Sequence, residues 1–348
     1  MSKQKILGKL AEKRKQIVDL LCSYIEKGII PWKAEWDRFA NIPINAISGV
    51  YYRGVNKLLL SFIAFHKGYN DPRWCTFKQS NSKEWKIKAG AKSARIEFFS
   101  FPKEEDLKKA DAGEEVDPKK LHPMVRYYNV FNAEDIEGIP PLVTKKMEPI
   151  EQIHKAERVL KDLENLGVVI NYRGNKAFYK SSTDEITIPP RELFFHTEGF
   201  YGTALHEGGH STGHASRLNR ASLLKYHESK EERAKEELIV EIASVFMCSE
   251  IGIRLSEEHY ENHAAYIQNW LTALKNDPNE LFRAANEASK ISDYILEFER
   301  KREHENIVDI ETDVLDQPAS FLEDDEPDNE VFREAYKDTE QSDIEISM

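Results

Sequence analysis

The residues best placed to do chemistry are His206-Glu207-Gly208-Gly209-His210. Side chains four apart share a helix face, so His206 and His210 project their imidazoles to one side, as two ligands of one metal ion must. Glu207 sits beside them, where a carboxylate can take the proton of a water attacking a carbonyl while the metal polarises the carbonyl oxygen. The pattern predicts a metal centre of the HExxH type on a helix, with zinc or another divalent transition metal held by His206 and His210 and Glu207 as general base. Gly208 and Gly209 predict that another element packs closely against this helix.

A tetrahedral site needs a third protein ligand. The segment Glu236-Glu237-Leu238-Ile239-Val240-Glu241 places Glu237 and Glu241 on one helix face, and two like charges four apart are unfavourable unless a cation lies between them. Glu237 is the leading third ligand, with Glu241 and His214 as alternates; Gly213 argues against a helix that would carry His214 onto the same face. The remaining carboxylate would orient an imidazole. Two further expectations attach to the site: that Glu185 to Ile188 is either an edge strand able to pair with an extended peptide or a core strand, and that a His or Tyr within Glu261-Asn262-His263-Ala264-Ala265-Tyr266 donates to a developing oxyanion.

Positioning these groups calls for several elements. Ile17, Leu20, Leu21, Tyr24 and Ile25 follow helical spacing and end at Gly28 and Pro31. Short β-rich segments follow at Gly49 to Gly54, Trp74 to Lys78, Ala94 to Phe99 and Tyr127 to Phe131, with a charged loop near 103–120. Gly138-Ile139-Pro140-Pro141 reads as a linker. Beyond it, Ile153, Ala156, Val159, Leu160 and Leu163 predict a helix closed by Gly167, then strands at 168–172 and 184–188. Helices near 199–213, 231–251, 259–274 and 279–298 complete the pattern. The fold class is α+β in two domains, over 1–140 and 150–302, followed by an acidic tail over 303–348 that is expected to be disordered.

Charge is partitioned along the chain. Residues 303–348 carry seventeen Asp and Glu against Arg333 and Lys337, a net of −15, whereas residues 1–130 carry twenty-five Lys and Arg against fifteen Asp and Glu, a net of +10. The overall −12 therefore hides a basic N-terminal half. Within it, Trp32, Tyr52, Arg53, Asn56, Arg73, Trp74 and Lys78 are the candidate nucleic-acid-binding residues, among further aromatics such as Tyr51, Phe77 and Trp85. Bases stack on aromatic faces and phosphates attract cations, so a single-stranded nucleic acid is the expected partner. Cys22, Cys75 and Cys248 lack metal-ligand spacing and read as reduced core thiols. The N-terminus lacks a secretory pattern and no apolar run is long enough to span a bilayer, so the expected location is cytoplasmic, with no membrane partner. Neither the oligomeric state nor a protein substrate is encoded legibly.

The chain resembles the ArdC antirestriction proteins of plasmids and other mobile elements. In the first half the likeness rests on Ile29-Ile30-Pro31-Trp32, Tyr52-Arg53-Gly54-Val55-Asn56, Pro72-Arg73-Trp74-Cys75-Thr76-Phe77-Lys78-Gln79 and Tyr128-Asn129-Val130-Phe131-Asn132. In the second it rests on His206 to His214, Ser216-Arg217-Leu218-Asn219-Arg220, Glu236 to Glu241 and Glu261 to Tyr266. The resemblance implies an N-terminal domain that binds single-stranded DNA and a C-terminal zincin-like metallopeptidase domain of gluzincin or SprT-like type. It also implies that a Glu-x-x-Ala-Asp motif, or a close variant, supplies the third ligand from its first Glu, which here is Glu237. Val240 stands where that motif has a small residue, and Glu241 replaces its Asp. A non-catalytic DNA-binding protein with a structural metal is the competing expectation.

Overall fold

In the computed structural model, the described residues are 3–27, 42–100, 124–142, 149–253 and 277–308, with scattered positions between 102 and 120 and between 270 and 275. Trp32, the segment Glu261 to Tyr266 and residues 309–348 lie outside them.

Helix α1 (Lys3–Glu26) buries Ile17, Val18 and Leu21. It precedes β1 (Ile44–Asn45) and α2 (Gly54–Lys67). Strand β2 (Arg73–Thr76) leads directly into α3 (Phe77–Ser82), because Thr76 caps that helix from the Gln79 N–H while Gln79 reaches back to the Thr76 N–H. Strands β3 (Lys86–Ile87), β4 (Ala94–Ser100), β5 (Met124–Asn132) and β6 (Ile136–Glu137) complete the N-terminal half. The main sheet has the order β1-β2-β5-β4, with β4 and β5 antiparallel from Ala94 opposite Val130 to Ser100 opposite Met124.

The second half begins with α4 (Pro149–Asn165), which buries Ala156, Val159, Leu160 and Leu163 on one face. Strands β7 (Val169–Tyr172), β8 (Phe178–Lys180) and β9 (Glu185–Ile188) form a sheet ordered β7-β9-β8. Helix α5 (Thr197–Ser211) carries the histidines, and α6 (Ala221–Leu224) is a short turn before α7 (Lys230–Ile251). Ser229 caps α7 by accepting from the Glu232 N–H, and Gly252, at φ +78, closes it. Helix α8 (Asn279–Val308) runs past the expected end near 298. Pairs from Arg302 to Asp162 and from Lys155 to Glu303 tie this extension to α4.

The main apolar core does not stop at the linker. It joins Val18, Leu21, Leu59 and Phe62 from the first half to Leu163, Leu205, Val240, Ile291 and Ile295 from the second, with α8 packed against α2, α4 and α7. Each fully buried Leu or Ile stabilises the fold by about 1.5–3 kcal/mol relative to exposure. A smaller cluster of Leu60, Trp74, Ala94, Ile96 and Val130 lies under the N-terminal sheet. Cys22, Cys75 and Cys248 are free and buried, as expected of core thiols.

Candidate metal centre

Helix α5 sits against β8 and β9 on one side and α7 on another. Its approach to its neighbours is set by its two central glycines. A Cβ on Gly208 would stand 2.9 Å from Leu163 Cδ1 of α4, and a Cβ on Gly209 would stand 2.9 Å from Val240 Cγ1 of α7. Val240 is therefore accommodated, where a small residue is usual, because the small residue is supplied by the facing helix. The last carbonyls of α5 are satisfied locally: Ser211 Oγ donates to Gly208 O at 2.7 Å and Thr212 Oγ1 to Gly209 O at 2.7 Å. The helix ends there, and His214 falls in the following turn, with its Nδ1 2.8 Å from Ser216 Oγ and 3.8 Å from Asp184.

This close packing brings the buried carboxylates of α7 to the imidazoles. His206 Nε2 lies 3.5 Å and His210 Nε2 3.8 Å from the same Glu237 oxygen, Oε2. Among the described residues, His206, His210 and Glu237 are the group able to hold a metal, with one ligand atom from each lying within 4.8 Å of the others. Bonds of about 2.05 Å to a tetrahedral ion give ligand–ligand edges of about 3.3 Å, so a small contraction closes the site around a divalent cation. The donor set of two imidazole nitrogens and a carboxylate oxygen suits zinc, and other divalent transition metals as well.

Each ligand has an outer partner. Glu241 stands 3.4 Å from His206 Nδ1, and Glu236 stands 3.2 Å from His210 Nδ1. A carboxylate at Nδ1 favours the tautomer with its proton there, which leaves the Nε2 lone pair for the metal. Glu237 Oε1 accepts a hydrogen bond from Tyr226 Oη, which leaves Oε2 to face the histidines. Glu236 is fully buried and would be costly alone. It accepts from Arg220 Nε at 3.0 Å, from Arg220 Nη2 at 2.6 Å and from Ser222 Oγ. Arg220 also donates to Thr212 Oγ1 at 2.8 Å and to Gly209 O at 3.0 Å, fastening the end of α5 to α7.

The electrostatics follow from this crowding. Burial opposes charge on His210, yet Glu236 and Glu237 raise its pKa to about 9, and Glu237 and Glu241 likewise hold His206 well above the ordinary imidazole value. Burial also works against the Glu237 charge, but the two histidines more than offset it and hold the carboxyl far below its usual range. Glu207 differs: burial dominates and pushes its carboxyl up, against the opposing pull of His206 and His210. A raised carboxyl beside the metal ligands suits a group that must accept a proton near neutrality. The Glu207 carboxylate also accepts from the Tyr179 backbone N–H of β8.

Of the two readings of Glu185 to Ile188, edge or core strand, the sheet order gives the second. Residues Glu185–Ile188 form the central strand, parallel to β7 and antiparallel to β8. It is β8, hydrogen-bonded to Glu207 through Tyr179, that lies at the rim of the sheet beside α5. Sequence reasoning gave α7 its Glu237 and Glu241 but missed Glu236, Arg220 and Tyr226. Arg220 had been visible only as part of Ser216-Arg217-Leu218-Asn219-Arg220, with no role attached.

The DNA candidates divide. Trp74 is 1 % exposed and packs edge-on against Tyr69, so it is core and offers no stacking face. Asn56 pairs with both backbone groups of Glu97, and Arg73 is engaged by Asp71 and Pro140 O. Tyr52 is half-buried against Asn45, whereas Arg53, largely exposed, pairs with Asp293 of α8. Lys78 is exposed beside Phe77, which is 60 % exposed, and Tyr51 is 58 % exposed. Lys83, Lys86, Lys88, Lys92 and Arg95 are exposed on the same 77–95 segment, where Glu84 is the single acidic residue.

Residues 11–131 match the N-terminal domain of anti-restriction factor ArdC, and residues 155–287 match a zincin-like metallopeptidase. A crystal structure of the antirestriction ArdC protein from plasmid R388, in its Mn(II)-bound form, aligns with a TM-score of 0.65 and 29 % identity over 82 % of this chain and 97 % of that one. This chain belongs to the ArdC antirestriction family. The metal-free form of the same protein aligns with a TM-score of 0.64. Among curated relatives, the protein y4eC of Sinorhizobium fredii is 31 % identical over 80 % of this chain and 90 % of its own length. DNA primase TraC of Escherichia coli is 37 % identical over 83 % of this chain, but this chain spans only 20 % of that protein. Among the described residues no helix is long and apolar enough to cross a membrane.

Proposed function

We propose that this ArdC-family chain binds single-stranded DNA through its N-terminal domain, over about 1–140, and hydrolyses peptide bonds at a zinc centre in its C-terminal domain, over 150–302. The observation that carries the reading is the convergence of His206 Nε2, His210 Nε2 and Glu237 Oε2, with Glu207 alongside. When bound, zinc would polarise the scissile carbonyl and lower the pKa of water. This chain's own residues do the rest. Glu207 accepts the proton of the attacking water and passes it to the leaving amine. Strand β8 offers an edge for an extended peptide, and Glu236 and Glu241 fix the imidazoles. DNA would lie against Tyr51, Phe77, Lys78 and the lysines of 83–92, which pair aromatic faces with cations in the open. The cellular consequence, in keeping with the family, is protection of incoming DNA from restriction, exerted in the cytoplasm.

The test is Glu207→Gln. The variant should keep zinc and single-stranded DNA affinity and lose cleavage of a peptide library by 10²-fold or more. Undiminished cleavage would remove Glu207 from the mechanism. DNA affinity that ignores salt would refute the basic interface, since neutralised phosphates release counterions on binding.

A further inference from the structure

Residues 309–348 hold fifteen Asp and Glu against Arg333 and Lys337, a net of −13, and lie beyond both family-matched regions. Six of those acids fall within Glu323-Asp324-Asp325-Glu326-Pro327-Asp328-Asn329-Glu330, with Phe321, Phe332 and Tyr336 to either side. A run of carboxylates flanked by aromatics presents to a basic surface what a single strand presents to it, namely spaced negative charge and rings that stack.

The surface that matches it belongs to the first half. Lys78, Lys83, Lys86, Lys88, Lys92 and Arg95 are exposed on the 77–95 segment against Glu84, a net of +5, and Glu137 stands opposite Lys86 in the β3–β6 ladder. Among the described residues none of Lys83, Lys86, Lys88, Lys92 and Arg95 is ion-paired with a carboxylate. Lys88 donates to Glu134 O at 2.7 Å and Arg95 to Gln16 Oε1 at 3.2 Å, both neutral acceptors. Their charge is left for an anionic partner.

Helix α8 carries the acidic segment toward that half. The Gly54 N–H donates to Ser289 Oγ at 3.0 Å and Arg53 pairs with Asp293, so the middle of α8 lies against the start of α2. Burial raises the Tyr51 phenol pKa, and the charges of Glu250 and Glu303 raise it further, as expected if the last turns of α8 pass near that aromatic. The helix ends at Val308, and fourteen residues, 309–322, separate it from Glu323. At about 3.5 Å per residue they reach up to about 50 Å, against a radius of gyration of about 19 Å for a body of this size. The 77–95 surface is within that reach.

We propose that the acidic run Glu323–Glu330 docks on the exposed cations of the 77–95 segment of its own chain and there competes with single-stranded DNA, which must displace it to bind. The inference rests on the reading of that segment as the DNA surface. A tether of this length holds the run at about millimolar effective concentration. With an electrostatic affinity of about 0.1 mM, it lowers DNA affinity about tenfold at low salt.

The experiment compares the zinc-loaded wild-type chain with a full-length variant carrying Glu323→Gln, Asp324→Asn, Asp325→Asn, Glu326→Gln, Asp328→Asn and Glu330→Gln together. Fluorescence anisotropy of an oligo-dT gives DNA affinity at two salt concentrations. Carbodiimide coupling of carboxylates to amines, mapped by mass spectrometry, reports where the run lies. The inference expects the variant to bind oligo-dT about tenfold more tightly at about 50 mM salt and within about twofold at about 300 mM. In the wild type, residues 323–330 should cross-link to Lys83, Lys86 and Lys88 in preference to Lys176 and Lys225, which are exposed on the second half, and bound oligo-dT should suppress those links. Equal affinities at low salt would overturn the proposal. So would a tighter variant whose parent links to both lysine sets alike, since the run then merely repels DNA at long range. Links found only between chains, in a mixture of isotope-labelled and unlabelled protein, would overturn docking within one chain. If neither protein binds oligo-dT, the DNA reading of the surface falls, and the cross-links decide by themselves whether the run docks.

Discussion

The spacing of α5 and α7 is the dimension on which the centre depends, and Gly209→Ala tests it. An added Cβ would sit 2.9 Å from Val240 Cγ1, and that methyl belongs to a fully buried β-branched side chain with little rotamer freedom. Ordinary carbon–carbon contact needs about 3.5–4.0 Å, so one helix must retreat by more than half an ångström. Overpacking of this kind costs about 1–3 kcal/mol, and the better helix propensity of Ala returns up to about 1 kcal/mol. The expected net loss is up to roughly 2 kcal/mol, a fall in Tm of several degrees at about 2–4 °C per kcal/mol. Retreat also widens the 3.5 and 3.8 Å separations between Glu237 and the histidines, so zinc affinity should fall together with stability. Val240→Ala alone leaves a cavity and is destabilising as well. In the double variant the new methyl occupies the space vacated by the old, so the two should couple by roughly 1–3 kcal/mol toward the wild type. Thermal unfolding and zinc titration of all four proteins complete the cycle. Additivity within about 0.5 kcal/mol would refute the view that Gly209 exists to admit Val240.

Glu236→Gln should lower zinc affinity about 10–100-fold through His210 and destabilise by several kcal/mol, because Arg220 is left buried without its counter-charge; chelator competition and denaturant melts measure both. His214→Ala should leave zinc affinity within about twofold, since His214 faces Ser216 and Asp184, and a large loss would restore it as a ligand. Lys57 is buried between α2 and α7, beside Glu250 and over the Phe246 ring, and burial lowers its pKa from 10.5 to about 8. The unfolded chain therefore holds this proton up to 10.5 while the folded chain releases it near 8, so its contribution to stability rises with pH across that window and the penalty is complete below it. Lys57→Met should stabilise the protein at pH 7 by about 1–3 kcal/mol and flatten stability between pH 8 and 10.5 relative to wild type. A destabilised Met variant would show that the Glu250 contact outweighs desolvation.

By itself the sequence determined the features that are local or periodic. The i, i+4 spacing fixed which faces of α5 bear His206 and His210 and of α7 bear Glu237 and Glu241, because helix geometry is the same wherever the helix lies. The charge partition between 1–130 and 303–348 and the helical stripes of α1, α4 and α8 were equally legible. What the sequence left open were choices between neighbours. Glu237 and Glu241 are equivalent on a helical wheel, and it is the depth at which α7 meets α5, set by Gly209 against Val240, that aims one at both Nε2 atoms and the other at Nδ1. Glu236 and Tyr226 were invisible because their partners come from across the fold and from a turn with no periodicity. Strand β9 read as a plausible edge because alternation reveals which faces are buried and not which neighbours flank a strand. Trp74 misled for a related reason: an aromatic beside cations looks alike as platform or as core until the sheet that covers it is in place.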